Sequence, residues 1–178
     1  MNITVYAASS GQVPEVYTQA AARLGEILAE RSHILINGAG RTGLMGATID
    51  ACIAKGGKAI GIIPQFMIDE SWQHKGMTEL VVTPNMHERK TMMADRADAC
   101  IACPGGVGTL DEIFTLLAEI TIDATRKHLI LYNVEGCWNT LVAMLDQMVE
   151  TNLVNLSVRN KVHVVESTEA LEELCQSL

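Results

Sequence analysis

Short, uninterrupted apolar runs alternate along the whole chain with stretches of helical periodicity, and this alternation constrains the fold more than any other feature. The runs fall at residues 3–7, 34–37, 59–63, 80–83, 99–102, 128–132 and 162–165. An apolar run of that length, without polar alternation, reads as a strand covered on both faces. Between the runs the spacing predicts helices at 15–31, 44–55, 85–96, 109–121, 138–150 and from 168 onward. In the first of these, Val16, Ala20, Leu24, Ile27 and Leu28 share one face. Pro64 closes the third strand, and residues 65–76, which hold Trp72, read as a polar loop. Strands that alternate with helices build a parallel sheet. The expected fold class is therefore α/β: a single doubly wound Rossmann-like domain over residues 1–178, its parallel sheet flanked by helices. No linker, repeat or low-complexity segment interrupts it.

Composition narrows the function. A chain of 178 residues buries roughly 70% of its unfolded surface without staples. It carries 13 Lys and Arg against 21 Asp and Glu, a formal charge of −8, with no block of like charge. That excludes a nucleic-acid backbone or an anionic membrane as the main partner. No apolar stretch approaches the ~18 residues of a membrane helix. Met1-Asn2-Ile3-Thr4-Val5-Tyr6 lacks the basic start of a signal peptide, so a cytoplasmic protein is expected.

Cys52, Cys137 and Cys175 read as buried structural positions. Cys100 and Cys103 have redox or zinc spacing. On a strand, however, residues three apart face opposite ways about 10 Å apart, too far for a disulfide. Free thiols are expected. His33, His74, His87, His128 and His163 show no ligand spacing, so neither a metal nor a cofactor is expected.

In a doubly wound sheet, ligands bind beyond the carboxyl ends of the strands. Three small-residue loops follow strands here: Ser9-Ser10-Gly11, Asn37-Gly38-Ala39-Gly40-Arg41-Thr42-Gly43, and Cys103-Pro104-Gly105-Gly106-Val107-Gly108-Thr109-Leu110-Asp111-Glu112. The last leaves backbone N–H groups at the positive end of a helix dipole, a site for phosphate. It adds the carboxylate of Glu112, which phosphate binding alone does not require. The second loop spells G-x-G-x-x-G at Gly38, Gly40 and Gly43, but no acid follows at the end of the next strand to hold an NAD ribose. Neither glycine loop has the G-K-[S/T] ending of a Walker ATPase. Blander readings stand beside these. Thr109 to Glu112 has capping-box spacing. Residues 86–90 read as a helix start capped by Asn85 with solvated charges, and Met92 and Met93 read as core filler.

Met86-His87-Glu88-Arg89-Lys90, the loop ending Gly43-Leu44-Met45-Gly46, and Pro104 through Glu112 together resemble the paired signatures of the Lonely Guy (LOG) family. The resemblance runs from the first strand to about Asn155. It implies a cytokinin riboside 5′-monophosphate phosphoribohydrolase, which hydrolyses the N-glycosidic bond of an N6-modified AMP to free base and ribose 5-phosphate. Members have long carried the label lysine decarboxylase, but no pyridoxal-phosphate lysine context is visible here. By position, the resemblance implies that Gly105, Gly106, Gly108 and Thr109 hold the 5′-phosphate. Arg89 and Glu112 match the catalytic arginine and glutamate. Ser9, Gly38, Gly40, Arg41, Gly43, Met86 and Lys90 complete the expected substrate-binding set. It also implies a homodimer, with helices 85–96 and 109–121 as candidate interface elements.

The chain departs from the family pattern in places. Ala7-Ala8-Ser9 stands where C-G-S is usual, and Gly38-Ala39-Gly40-Arg41 where G-G-G-S is usual. The added methyl of Ala39 and the long cation of Arg41 are expected to narrow the ligand edge or to add a phosphate contact. Thr121-Ile122-Asp123-Ala124-Thr125 replaces a T-W-x-Q segment thought to line the base side, which leaves AMP or another purine nucleotide as an alternative substrate. The rival class is a non-catalytic nucleotide or cofactor carrier, of the kind represented by the related molybdenum-cofactor carriers. In such a protein Glu112 would be only a cap.

Overall fold

The computed structural model describes residues 1–177. Seven strands, β1 (Asn2–Tyr6), β2 (Ile34–Asn37), β3 (Lys58–Pro64), β4 (Glu79–Thr83), β5 (Ala99–Ala102), β6 (Leu129–Tyr132) and β7 (Val162–Val165), form one sheet in the order β4-β3-β2-β1-β5-β6-β7. Every pairing is parallel. The chain winds outward from β1 in one direction, then crosses to β5 and winds outward in the other. The loops after β1 and β5 therefore diverge, and a crevice opens between them. Two backbone bonds hold its floor together: Cys103 N–H to the Tyr6 carbonyl and Ala8 N–H to the Pro104 carbonyl.

The strands are apolar on both sides because both sides are covered. Ile3, Val5, Leu35, Ile101 and Ile130 face the layer of α1 (Glu15–Glu30), α2 (Gly43–Ala54) and α8 (Thr168–Ser177). Tyr6, Ile36, Ile62, Cys100 and Leu131 face the opposite layer. That layer is built from α4 (Met86–Asp95), α5 (Val107–Thr121), α6 (Asn139–Glu150) and the short α7 (Leu156–Arg159). Cys100 and Cys103 lie in different layers, as strand geometry requires, and all five cysteines are free. Burial pushes the thiols of Cys52, Cys100, Cys137 and Cys175 up to about 11, so none is a thiolate at neutral pH. Cys137 is only half-buried.

Three expectations need correction. Residues 65–76 are not all loop: Gln65–Asp69 form the one-turn helix α3, begun directly after Pro64. Two further short elements, a 3-10 turn at Val134–Gly136 and α7, lie in segments too short for periodicity to reveal. Most significant, α5 begins at Val107 with Gly106 at its cap position, so Thr109 lies inside the first turn and caps nothing. Elsewhere the shifts are of one residue. Asn85 caps α4 as expected, its side chain accepting the Glu88 N–H at 2.9 Å.

Candidate active site

Two helix N-termini face the crevice, and they differ in what they leave free. At α2 the first donors are already spent. The Ala8 carbonyl accepts from Leu44 N–H at 2.9 Å and from Met45 N–H at 3.3 Å, and the Thr42 hydroxyl donates to the Ser9 carbonyl. Gly43 permits this closeness. It sits at φ +63, and a Cβ there would come within 2.5–2.7 Å of the Ser10 and Ala8 carbonyl oxygens. The G-x-G-x-x-G loop is thus closed by the first loop, and the nicotinamide reading loses its phosphate cradle.

At α5 the situation is reversed. Gly106 has no side chain to cap the helix, and the first helical bond is Leu110 N–H to the Gly106 carbonyl. The N–H groups of Val107, Gly108 and Thr109 have no partner among the described residues. They open into a cleft of about 550 Å³. Unspent donors at a dipole's positive end form an anion site. Gly105 lies beneath it: a Cβ there would be 2.1 Å from the Thr109 hydroxyl oxygen, so only glycine lets Thr109 fold back over the loop.

About one and a half turns into α5 stands Glu112. Helical side chains lean toward the N-terminus, which brings this carboxylate back into the cleft. It occupies the buried stripe Thr109, Glu112, Ile113, Leu116 and Ile120, where periodicity would otherwise place a hydrophobic residue. Arg89 occupies the matching stripe of α4 with Met93 and Ala94. The two meet: Arg89 Nη1 lies 3.4 Å from Glu112 Oε1, with side-chain exposures of 7% and 9%. At that distance the pair is loose, and both groups keep capacity for a ligand. Burial pushes the Glu112 carboxyl up to about 7, while Arg89 pulls against the shift. Arg89 is further anchored by Nε donating to the Ile62 carbonyl at 3.2 Å.

The remaining wall is apolar and comes from Met45, Ile63, Met67, Trp72 and Met86. The segment after α3 is fastened rather than free. Arg41 N–H donates to the Trp72 carbonyl, His74 N–H donates to the Ala39 carbonyl, and Gly40 pairs with Gln73 in an antiparallel bridge. His74 Nε2 also lies 2.9 Å from Asp50 Oδ1 on α2. Trp72 thus presents a half-exposed ring to the cleft from a pinned backbone.

Of the residues expected in the site, Ser9, Gly38, Gly40, Met86, Arg89, Gly106, Gly108, Thr109 and Glu112 line this one cleft. The other four lie outside its lining. Arg41 is exposed and meets the cleft's wall only through its backbone. Gly43 serves the contact between the first two loops, and Gly105 the seat of Thr109. Lys90 reaches both Asp111 oxygens at 2.8 Å, tying α4 to α5 beside the ion pair. The methyl of Ala39 does not narrow the ligand edge: it is fully buried and points at Gly61 of β3. Residues 121–125 contribute nothing to the cleft of this chain. Met67 and Ile63 were not anticipated. Their only sequence signal is position, immediately beside the carboxyl end of β3.

A protein family described as "Possible lysine decarboxylase" matches residues 45–175 of the chain. Cytokinin riboside 5′-monophosphate phosphoribohydrolase LOG5 of Arabidopsis thaliana is 35% identical over 176 residues, 99% of this chain and 76% of that protein. The cytokinin riboside 5′-monophosphate phosphoribohydrolase of Mycobacterium marinum is 34% identical over 173 residues, covering 97% and 92%. Among solved structures, the molybdenum cofactor carrier protein of Chlamydomonas reinhardtii superposes with a TM-score of 0.78 at 19% identity, over 99% of this chain and 96% of that one. The molybdenum cofactor binding protein of Rippkaea orientalis gives 0.69 at 22% identity, over 99% and 94%. At such identities the two structures speak to fold alone.

Proposed function

This chain belongs to the Lonely Guy (LOG) family, and from that premise we propose that it hydrolyses the N-glycosidic bond of a purine nucleoside 5′-monophosphate. The products are the free base, an N6-modified adenine or adenine, and ribose 5-phosphate. The observation that carries the reading is the pairing of an uncapped α5 N-terminus with a desolvated carboxylate on the same helix.

The 5′-phosphate is placed on the N–H groups of Val107, Gly108 and Thr109, with the Thr109 hydroxyl as a further donor. That fixes the ribose over Glu112. As the C1′–N bond to the base breaks, its electron pair leaves with the base and the ribose gains oxocarbenium character. Ionised Glu112 stabilises that charge, most effectively in a site with little water. It also orients a water whose oxygen bonds to C1′. The water keeps one proton as the new C1′ hydroxyl; the other passes to the carboxylate and from there to the departing base nitrogen, which returns Glu112 to its ionised form. Arg89 holds the carboxylate in place and donates toward the phosphate or the base. The apolar wall around Trp72 takes the base and its N6 substituent. Gly40 forms the floor, and Ser9 and Met86 the flanks.

A carrier of an anionic ligand offers a competing reading on the same fold. Glu112 argues against it, because a buried carboxylate beside a phosphate weakens binding unless it serves chemistry. A decarboxylase built on a lysine Schiff base fits poorly, since no lysine lines the cleft and Lys90 is engaged by Asp111. We place the whole of residues 1–178 in one nucleotide-binding domain, cytoplasmic and paired as a homodimer. Support for pairing is the exposed apolar surface of α5 and its end, at Phe114 and Ile122. No helix among the described residues is long and apolar enough to cross a membrane.

Ribose 5-phosphate release from AMP, with adenosine beside it, tests the reading. Release from AMP and at least about a hundredfold less from adenosine is expected if the α5 terminus positions the phosphate. Equal rates on both would contradict it.

A further inference from the structure

Gly38 was expected to touch substrate, yet its closest relationship is with Arg89. A Cβ built on Gly38 would lie 1.8 Å from Arg89 Nη2, 2.8 Å from Cζ and 3.3 Å from Nε. Among the described residues, no other glycine is so closely approached by the side chain of a charged residue. The guanidinium reaches from α4 across the carboxyl ends of β3 and β2. Its Nε is held by the Ile62 carbonyl, its Nη2 edge lies on the bare Gly38 backbone, and Nη1 is delivered to Glu112. Each nitrogen of the planar fork has a different neighbour, so moving one edge moves the others.

We propose that Gly38 and the Ile62 carbonyl are positioning elements: together they form a slot that seats the Arg89 guanidinium against Glu112. This rests on the reading of Arg89 and Glu112 as the reacting pair and adds the residues that hold it. The bare face of Gly38 is kept free for the arginine, not for the ligand. A methyl group there displaces the fork from its seat and lengthens the contact with Glu112. Glu112 is also faced by Lys90 from α4, by Asp111 on its own helix and by the Tyr6 phenol from β1. The three atoms nearest a methyl there all belong to Arg89, so its first effect passes through Arg89.

The test is Gly38→Ala, read two ways. The first reading is the titration midpoint of the Glu112 carboxyl, followed by carbon NMR of glutamate-labelled protein. The second is the division between kcat and KM on AMP. The slot predicts a midpoint above that of the unaltered protein, kcat at least tenfold lower, and KM within threefold. Gly11→Ala, where a Cβ meets nothing within 4 Å, should match the unaltered protein in both. An unchanged midpoint and kcat in Gly38→Ala would overturn the proposal. So would a large rise in KM with the midpoint unmoved, which would return Gly38 to the ligand. Should Gly38→Ala not fold, Arg89→Lys keeps the charge but has no fork to bridge Ile62 and Glu112. It must raise the midpoint and lower kcat, and normal values for both would equally overturn the slot. The titration needs no turnover, so it tests the slot even if AMP proves not to be hydrolysed.

Discussion

Arg89 Nη1 stands 3.4 Å from Glu112 Oε1, and the two side chains are the only oppositely charged pair in the structure's described residues that is buried on both sides. Every other ion pair has at least one partner substantially in solvent, where such pairs contribute little. A buried pair is costly to desolvate and rarely repays that cost in stability. In the proposed reaction its position beside an uncapped helix terminus gives it a chemical use, and the consequences can be measured.

The pH dependence of kcat/KM on AMP should rise through a midpoint near 7. Burial lifts the Glu112 carboxyl to about 7, and only its ionised form stabilises a cationic ribose. As pH falls through that value the carboxylate takes up a proton, and the rate should fall about tenfold per pH unit below it. A rate that holds constant down to pH 5 would show that Glu112 titrates as an ordinary carboxylate or takes no part.

Glu112→Gln should be more stable than the unaltered protein at pH 8 and equal to it near pH 4. The folded-state value of about 7 lies above that of an unfolded glutamate, so the folded protein retains a proton that the unfolded chain releases. Stability from this group is present below the unfolded value and lost as pH rises through the folded one. The amide removes that loss, at most about 3 kcal/mol, seen as a melting-temperature gain that grows with pH. A variant less stable at pH 8 would mean that Arg89 compensates the carboxylate more fully than its 3.4 Å separation suggests.

Gly105→Ala should weaken binding of AMP by about tenfold, the effect of losing one to two hydrogen bonds. The added carbon would stand 2.1 Å from the Thr109 hydroxyl and must push Thr109 off the anion site. Adenosine binding should be unaffected. Isothermal titration with both ligands measures the difference, and an equal loss for both would place the phosphate elsewhere.

Tryptophan fluorescence should report the base. Trp138 is buried with its indole N–H donating to the Ala102 carbonyl, whereas Trp72 is 49% exposed on the cleft wall. Quenching on addition of AMP should persist in Trp138→Phe and vanish in Trp72→Phe. Quenching that survives the loss of Trp72 would move the base to another wall.

Much of this was legible in the sequence because the fold is written in continuous apolar runs, and the parallel sheet follows from them. The cap at Asn85 and the termini of β2, β5 and β7 appear where the residues indicate. The capping-box spacing of Thr109 and Glu112 misled, because spacing alone cannot say where a glycine-led helix begins. Both Glu112 and Arg89 are legible from their motifs, and the stripe of α5 extended back from Ile113 marks Glu112 independently as a charge on a core face, as Met93 does Arg89 on α4. Lys90 and Arg41 show the converse: a cation near a phosphate loop in sequence can be turned aside by a neighbouring carboxylate or by its own backbone's bonds. The α3 wall was hidden by its length, since one helical turn has no period to detect. The seat of Arg89 on Gly38 joins residues far apart in sequence, and no local pattern encodes such a contact.

The most direct test of the account is release of ribose 5-phosphate from AMP and from N6-isopentenyl AMP by the unaltered protein and by Glu112→Gln, with nucleotide binding measured alongside. The account predicts release by the unaltered protein, a loss of about 10²–10³-fold or more in the variant, and binding retained by both. Turnover undiminished in Glu112→Gln, or binding of AMP with no release from either nucleotide, would contradict it.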